Sequence, residues 1–164
     1  NSEYESVDVN EVASGVLRLL QEELKAHGVV ARAELAPDLP RVMGHKGQLQ
    51  EVLVNLVQNA IEAMSIIRAS RRRLWLKTER HGDDAIVVEV KDSGPGIDPA
   101  NLNGIFDAFF TTKSQGTGLG LAICRMIIER HGGQLSASSD GTHGALFLFV
   151  LPTRNASAGA VSPE

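Results

Sequence analysis

The sequence predicts an α+β fold in which helices cover one face of a mixed β-sheet. Segments whose apolar residues recur at helical spacing alternate with short segments of strand character. Their predicted order is helix, strand, helix, two strands, a long irregular segment, helix and two strands, which favours helices layered on a mixed sheet. The chain has 164 residues, of which 43% are hydrophobic, enough to bury one core. We therefore expect a two-layer α/β sandwich with three helices.

The first half of the chain predicts a short strand, a helix, a longer strand and a second helix. The opening ten residues are typical of a linker that runs into a short strand, and apolar residues then recur at helical spacing over residues 11–26. The segment VVARAEL, at residues 29–35, is typical of a strand and ends at the turn-forming PDLP. A short segment, PRVMG, leads to a long helix over residues 46–64.

The second half predicts two hairpins separated by a long irregular segment and a third helix. WLKTERHG and AIVVEVKDSG indicate two strands around the turn GDD. The irregular segment, residues 92–118, is longer than most connections in a compact domain, which favours a functional role for it. The helix over residues 119–130 ends at HGG, where glycine supplies the cap. QLSASS and ALFLFVLP, joined by DGTHG, predict the terminal hairpin.

Composition excludes several classes of protein. A net charge of -4 does not suggest a nucleic-acid-binding protein, so we expect no nucleic-acid partner. Cys124 is the one cysteine, which rules out an intrachain disulfide, and its apolar surroundings favour a small buried side chain. The chain has neither a run of about eighteen apolar residues nor a signal-like start. We expect a cytoplasmic domain, which is compatible with a membrane-anchored parent protein.

The predicted second helix carries a polar stripe. Glu51, Asn55, Asn59 and Glu62 follow one another at spacings of three and four, so they share a face. A solvated face is the usual explanation of such a stripe. Asparagine, however, costs about half a kcal/mol relative to alanine inside a helix. The paired asparagines therefore also indicate a site at which side-chain oxygens bind a ligand.

The strand end KDSGPGID combines a carboxylate with glycines and a proline. These residues favour a turn for local reasons, so a simple turn is one interpretation. Asp92 could also accept a hydrogen bond from an exocyclic amine such as that of adenine, with the glycines letting a flat base approach the backbone. The sequence leaves both interpretations open.

The segments IFDAFFTTKSQ and GTGLGL bring hydroxyls, a cation and glycines together just before the third helix. A solvated loop is again the plain interpretation. Backbone N–H groups at a helix N-terminus form an anion site, and a segment with glycine hinges can close over phosphates. The spacing fits neither a Walker-type loop nor a dinucleotide-binding turn. None of the five histidines belongs to a convincing metal cluster.

Taken together, QLQEVLVNLVQNAIEAM, DSGPGID, IFDAFFTTK and GTGLGLAI resemble four motifs of the sensor histidine kinases in order and spacing. These are the asparagine box, the first glycine box, the phenylalanine box and the second glycine box. The resemblance covers residues 7–152 and implies a catalytic ATP-binding domain with the Bergerat fold. The same superfamily includes gyrase, heat-shock chaperone and mismatch-repair ATPases.

The resemblance implies ATP and Mg²⁺ as ligands and assigns residues to each. Asn59 is expected to bind Mg²⁺ against the triphosphate with Asn55 beside it, and Asp92 to recognise the adenine amino group. Catalytic roles are implied for Asn55, Asn59 and Lys113. The implied ATP-binding set is Asn55, Asn59, Asp92, Gly94, Gly96, Ile97, Phe110, Thr111, Thr112, Lys113, Gly116, Thr117, Gly118, Leu119, Gly120 and Leu121.

One position bears on the reaction. In the hydrolytic relatives a glutamate lies one turn before the magnesium-binding asparagine, and here that position is Asn55. An amide is a poor general base, so the resemblance implies slow hydrolysis and transfer of the γ-phosphoryl group to another acceptor. Alternatives are a serine kinase of the anti-sigma type and a non-catalytic ATP-binding switch module.

The expected acceptor is a histidine outside this chain, because such histidines are typically followed by an acidic residue. Here the residues that follow the histidines are Gly or Lys, at His27, His45, His81, His131 and His143. We therefore expect a dimerising phosphoacceptor domain upstream and a response regulator receiver domain as the downstream partner. Residues 1–6 would be the end of the upstream linker or dimerisation helix, residues 7–152 the catalytic domain, and residues 153–164 a disordered tail. The fragment is expected to be a monomer and its parent a homodimer.

Three features depart from the family pattern or lie outside it. His45 stands where an aspartate often precedes the asparagine-bearing helix, which predicts a weaker helix cap. Ala145 stands where many members have threonine in the last strand, which predicts a looser adenine contact. The basic run Arg68, Arg71, Arg72 and Arg73 is interpreted as a solvated loop, with docking of an acidic partner as the alternative.

Overall fold

The computed structural model describes residues 4–107 and 120–153. Its helices and strands alternate along the chain much as the periodicity predicts. In chain order they are β1 (Tyr4–Val7), α1 (Val9–Leu19), α2 (Gln21–Ala26), β2 (Val30–Leu35), β3 (Val42–His45), α3 (Lys46–Ala63), β4 (Arg73–His81), β5 (Ala85–Asp92), α4 (Gly120–Arg130), β6 (Gln134–Ser138) and β7 (Leu146–Pro152).

Within the described residues the main sheet has five strands in the order β2-β4-β5-β7-β6. The β2 and β4 strands are parallel, and the remaining neighbours are antiparallel. Buried side chains alternate along β4 and β7, with Leu74 and Leu76 on the first and Phe147 and Phe149 on the second facing the core. The predicted α+β fold with a mixed sheet is therefore confirmed.

The predicted first helix is two helices. Residues 11–26 were expected to be continuous, but α1 ends at Leu19 and α2 begins at Gln21. Leu20 adopts φ -97° and ψ 11°, outside the helical region, and this turn keeps both Leu20 and Leu24 buried while Leu19 is exposed. The helix also begins earlier than predicted, because the Asp8 carboxylate caps it by accepting the N–H groups of residues 10 and 11.

The PRVMG segment contains a strand that the sequence does not reveal. Its second half forms β3, which pairs antiparallel with β1, so that Tyr4 lies opposite His45 and Val7 opposite Val42. A strand of four residues carries little periodic signal of its own. A Cβ on Gly44 would lie 2.6 Å from the His131 ring, so β3 needs glycine where that buried imidazole packs.

The basic run is only partly a solvated loop. Arg68, Arg71 and Arg73 are exposed. The guanidinium of Arg72 instead donates hydrogen bonds to three backbone carbonyls, those of His27, Ser65 and Ile67, at 2.7 to 3.1 Å. Arg72, the residue before β4, therefore links the end of α2 and the segment after α3 to the start of that strand.

Candidate functional site

The polar stripe of α3 lies at the border of the core. Asn55 and Asn59 are half-buried, whereas Glu51 and Glu62 are exposed. Residues four apart share one side of a helix, so Asn55, Asn59 and Ala63 form a line along α3, which we call the α3 stripe. Its length is about 12 Å, since a helix rises about 1.5 Å per residue.

One end of the α3 stripe faces the N-terminus of α4. A Cβ placed on Gly120, the first residue of α4, would lie 3.9 Å from the side-chain oxygen Oδ1 of Asn55. The first N–H groups of an α-helix have no partner inside the helix and carry a partial positive charge. The Asn55 oxygen and these donors therefore border the same space, with Leu121 half-buried next to Gly120.

Cys124, one turn further along α4, interacts with the Asn55 side chain, and its thiol donates to the Val52 carbonyl at 3.8 Å. Its thiol is fully buried, and burial raises its pKa to about 12, while a hydrogen bond from the Asn55 side chain lowers that pKa in part. The interpretation of Cys124 as a small buried residue is confirmed. Its contact with Asn55 was not predicted, because the two residues are distant in sequence.

The other end of the α3 stripe meets the end of β5. A Cβ on Gly94 would lie 3.2 Å from the Ala63 carbonyl oxygen and 3.0 Å from the Asp92 carboxylate. A side chain at position 94 would therefore be in tight contact with both α3 and this carboxylate. The α3 stripe thus leads from the N-terminus of α4, past Asn59, to the loop that carries Asp92.

Asp92 is a buried carboxylate at the last position of β5. Only 2% of its surface is exposed, and burial raises its pKa, although backbone hydrogen bonds with Gly94 and Ala145 oppose this. The Gly94 N–H donates to its Oδ1 at 2.7 Å, and its own N–H donates to the Ala145 carbonyl at 3.0 Å. A buried carboxylate costs free energy unless it is well hydrogen-bonded. Such a group is suited to bind a donor that a ligand brings.

The loop after Asp92 is held against the turn between β6 and β7. Gly96 has a φ of +92°, a conformation that favours glycine, and the Ile97 N–H donates to the Ser139 hydroxyl at 2.9 Å. Ile97 itself packs against the hydrophobic core. Ser139 was not predicted as a site residue. The available signal is the spacing of SSDGTHG, in which a serine precedes an aspartate and two glycines at a turn.

Part of the predicted ATP-binding set lies outside the described residues. These members, for which the expectations stand as predictions, are Phe110, Thr111, Thr112, Lys113, Gly116, Thr117, Gly118 and Leu119. The structure brings Gly120 and Leu121 to the Asn55 end of the α3 stripe, with Asn59 one turn further along α3. It brings Asp92, Gly94, Gly96 and Ile97 to the other.

The structure shows which contacts are made by His45 and Ala145, the two departures from the family pattern. His45 occupies the N-cap position of α3 and makes no side-chain cap hydrogen bond. Its backbone N–H instead donates to Nε2 of the buried His131 at 3.0 Å, while His131 Nδ1 donates to the Ile127 carbonyl. Ala145 is buried and contacts Asp92 through its backbone, so its missing hydroxyl does not remove that contact.

The described part of the fold has helices beside a five-stranded mixed sheet, and its polar α3 stripe runs between the N-terminus of α4 and the loop that follows the buried Asp92. The chain belongs to the family described as histidine kinase-, DNA gyrase B- and HSP90-like ATPases, which matches residues 44–155. The description of this family names ATPases, which implies ATP as the ligand of the domain.

Individual relatives narrow the class to the sensor histidine kinases. The chain is 40% identical over 146 residues to the sensor protein TdiS of Thauera aromatica, a match that covers 88% of this chain and 27% of TdiS. The nucleotide-free catalytic domain of histidine kinase ThkA superposes with a TM-score of 0.81 at 36% identity, covering 92% of this chain and 96% of that domain. The predicted resemblance to a histidine-kinase catalytic domain is confirmed.

A further solved structure contains a partner. ThkA in complex with the response regulator protein TrrA superposes with a TM-score of 0.78 at 32% identity, and the match covers 93% of this chain and 42% of that one.

The chain spans about a quarter of the length of TdiS. Among the helices of the described residues, none combines the length and the hydrophobicity that crossing a membrane requires.

Proposed function

We propose that this chain binds Mg-ATP and supplies the γ-phosphoryl group for autophosphorylation of a histidine in an upstream dimerisation domain of a two-component sensor kinase. The observation that carries the proposal is the α3 stripe. The stripe is about 12 Å long, with the buried carboxylate of Asp92 near one end and the N-terminus of α4 at the other. In this proposal Asp92 binds the base and the N-terminus of α4 binds phosphates. Below, the base end means Asp92, Gly94, Gly96 and Ile97, and the phosphate end means Asn55, Asn59, Gly120 and Leu121.

At the base end, the Asp92 carboxylate accepts a hydrogen bond from the adenine amino group. Its carboxylate already accepts the Gly94 N–H and still has acceptor capacity, since an ionised carboxylate offers about four lone-pair directions. Gly94 and Gly96 bring the backbone close enough to line a flat base. Because the carboxylate is buried, a hydrogen bond that it accepts from a ligand contributes more binding free energy than the same bond would in water.

At the phosphate end, the donors of α4 bind phosphate oxygens and the α3 amides face the metal. Mg²⁺ prefers oxygen ligands and usually retains several waters, which fits half-buried carboxamides better than a closed cage. Asn59 would hold the ion with Asn55 beside it, and the bound ion would neutralise phosphate charge. Within the described residues no cluster of three or more His, Cys, Asp and Glu side chains competes for a metal.

The residues at the phosphate end favour transfer over hydrolysis. Asn55 is an amide, and its side chain hydrogen-bonds the Cys124 thiol, so it does not activate water as a carboxylate would. Positioning and charge neutralisation then carry most of the catalysis. In the parent protein the acceptor would be a histidine of the dimerisation domain. A response regulator would be the next partner, a proposal that the complex of ThkA with TrrA supports.

Calorimetry of the 164-residue chain with ATP tests nucleotide binding. We expect binding that strengthens on addition of Mg²⁺, and a strong preference for ATP over GTP, because guanine presents a carbonyl where adenine presents its amino group. Absence of magnesium-dependent ATP binding would contradict the proposal.

Incubation with labelled ATP and a separate helical-hairpin phosphoacceptor domain tests the reaction class. Acid-labile, base-stable label on the acceptor histidine is the expected product. Acid-stable phosphoserine would indicate a serine kinase of the anti-sigma type instead. ATP binding without transfer to any acceptor domain would indicate a non-catalytic switch module.

A further inference from the structure

The turn between β6 and β7 holds the loop after β5 at both of its ends. At the first end, the Asp92 N–H donates to the Ala145 carbonyl at 3.0 Å, and Gly144 packs so closely that a Cβ there would overlap the Asp92 carbonyl oxygen. At the second end, the Ile97 N–H donates to Ser139 Oγ at 2.9 Å. Residues 92–97 are therefore bracketed by one turn.

The Ser139 hydroxyl is fully used by this arrangement. It donates to the Gly144 carbonyl at 2.7 Å and accepts the N–H groups of Ile97 at 2.9 Å and Gly141 at 3.1 Å. A serine hydroxyl has one donor and two acceptor sites, so each is occupied by backbone. The side chain thus joins the loop to both halves of the turn.

Close packing leaves no slack around this hydroxyl. A Cβ on Gly96 would lie 2.7 Å from Ser139 Oγ and 2.9 Å from the Gly141 carbonyl carbon. Because Gly96 also has a φ of +92°, the loop can adopt this path only with glycine there. The Ser139 oxygen therefore sets the separation between the loop and the turn.

We propose that Ser139 is a positioning residue for the adenine pocket. It holds the Gly96 and Ile97 backbone at the distance from Asp92 that an adenine base requires, and it acts through this backbone without touching the nucleotide. The inference rests on the proposed function, because it assigns the geometry of the same base end. It adds a determinant of base specificity that lies in a different hairpin from Asp92.

The test compares Ser139→Ala with Ser138→Ala in the 164-residue chain by calorimetry with ATP and with ITP, whose base has a carbonyl in place of the amino group. Ser138 is the matched control, since it is the exposed last residue of β6. We expect Ser139→Ala to raise the Kd for ATP about tenfold, which corresponds to the free energy of about one net hydrogen bond. Ser138→Ala should stay within about twofold.

The ratio of ATP to ITP affinity separates positioning from a structural role. A loop that has moved from Asp92 lowers this ratio, whereas mere loss of stability lowers the unfolding temperature and leaves the ratio of the folded protein unchanged. If the unsubstituted chain fails to bind ATP, the proposed function itself is wrong. If the unsubstituted chain binds ATP and Ser139→Ala retains both its Kd and its ratio, the role of Ser139 is wrong.

A second variant covers the case in which Ser139→Ala does not fold. Ser139→Cys keeps a polar atom at this position, but a thiol is larger than a hydroxyl and is a weak donor and acceptor. We expect its Kd for ATP to rise in the same direction by about threefold, a fraction of one hydrogen bond. An unchanged Kd and an unchanged ATP to ITP ratio would overturn the proposal.

Discussion

The base end and the phosphate end of the candidate site are built by different means. The base end is enclosed by backbone: glycines at close approach, the β6–β7 turn and a carboxylate of which 2% is exposed. The phosphate end, within the described residues, presents half-buried amide side chains beside the N-terminus of α4. One end is shaped by packed backbone, and the other offers dipoles that a charged ligand would complete.

This difference predicts how each end responds to substitution. Changes at the base end disturb packed backbone, so they should lower stability and base specificity together. Changes at the phosphate end remove side chains from the border of the core, so they should lower metal-dependent affinity with little loss of stability. The variants below test this division.

The largest effect is expected at Gly144, in the β6–β7 turn that encloses the base end. Gly144→Ala places a side chain at a φ of +87° that also overlaps the Asp92 carbonyl oxygen. Strain and overpacking together should lower the free energy of unfolding by about 3 kcal/mol. Urea unfolding of the variant measures this loss, and calorimetry of the remaining folded protein should show weaker ATP binding.

Gly82→Ala is the matched control for backbone strain. Gly82 has a φ of +71°, but a Cβ there would meet no atom within 4 Å. Its cost should be about 1 kcal/mol, from the left-handed conformation alone, with ATP affinity unchanged. Equal losses for Gly144→Ala and Gly82→Ala would show that the turn does not press on Asp92.

The next effect concerns the charge of Asp92. Asp92→Asn should weaken ATP binding about thirtyfold, because a hydrogen bond to an ionised group contributes about 2 kcal/mol. ITP binding should weaken much less, since its base lacks the amino donor. Calorimetry with both nucleotides gives the comparison, and an equal loss for ATP and ITP would contradict the role of Asp92 in base recognition.

Lowering the pH should test the same carboxylate, because protonation of Asp92 changes both stability and ATP affinity. Burial raises the pKa of Asp92 above its usual range, so the native state holds the proton more tightly than the unfolded state does. As the pH falls through the range between the native and the unfolded pKa, this group's contribution to the free energy of unfolding therefore increases. ATP affinity decreases as the carboxylate is protonated, because the ionised acceptor is lost. Titration of the protein with ATP at successively lower pH, from neutral downward, should show this component in the unsubstituted chain and not in Asp92→Asn.

A smaller effect is expected at the phosphate end. Asn59→Ala should weaken ATP binding about tenfold in the presence of Mg²⁺ and much less when the metal is chelated, since the amide oxygen is proposed to act on the ion. Gln50→Ala, an exposed amide on the same helix, is the control and should bind as the unsubstituted chain does. Equal losses with and without Mg²⁺ would place Asn59 at another part of the ligand.

How far the sequence predicts the structure differs between these two ends. The asparagines of α3 and the carboxylate at the end of β5 are singled out as candidates by residue type and spacing, while their roles come from the resemblance and stay predictions. Ser139 is not singled out, since a serine near a turn is ordinary. Its role depends on hydrogen bonds to a loop 42 residues away.

The same reasoning explains the errors in the fold. Periodicity predicts α3 to within a residue, because an 18-residue helix averages over many positions. It misses the break at Leu20 and the strand β3, where burial of one leucine and packing around the His131 ring decide the backbone. Tertiary contacts of this kind leave no periodic signal.

The smallest expected effect lies behind the phosphate end, at Cys124. Cys124→Ala removes the thiol that receives a hydrogen bond from the Asn55 side chain, so the amide loses the contact that turns its oxygen toward α4. Magnesium-dependent ATP affinity should fall about threefold, less than the value of one hydrogen bond. Cys124→Ser, which keeps an acceptor of similar size, should restore affinity to within about twofold. Calorimetry of both variants decides the point: if serine binds no better than alanine, the orientation of Asn55 does not depend on residue 124, and the phosphate end is set by α3 alone.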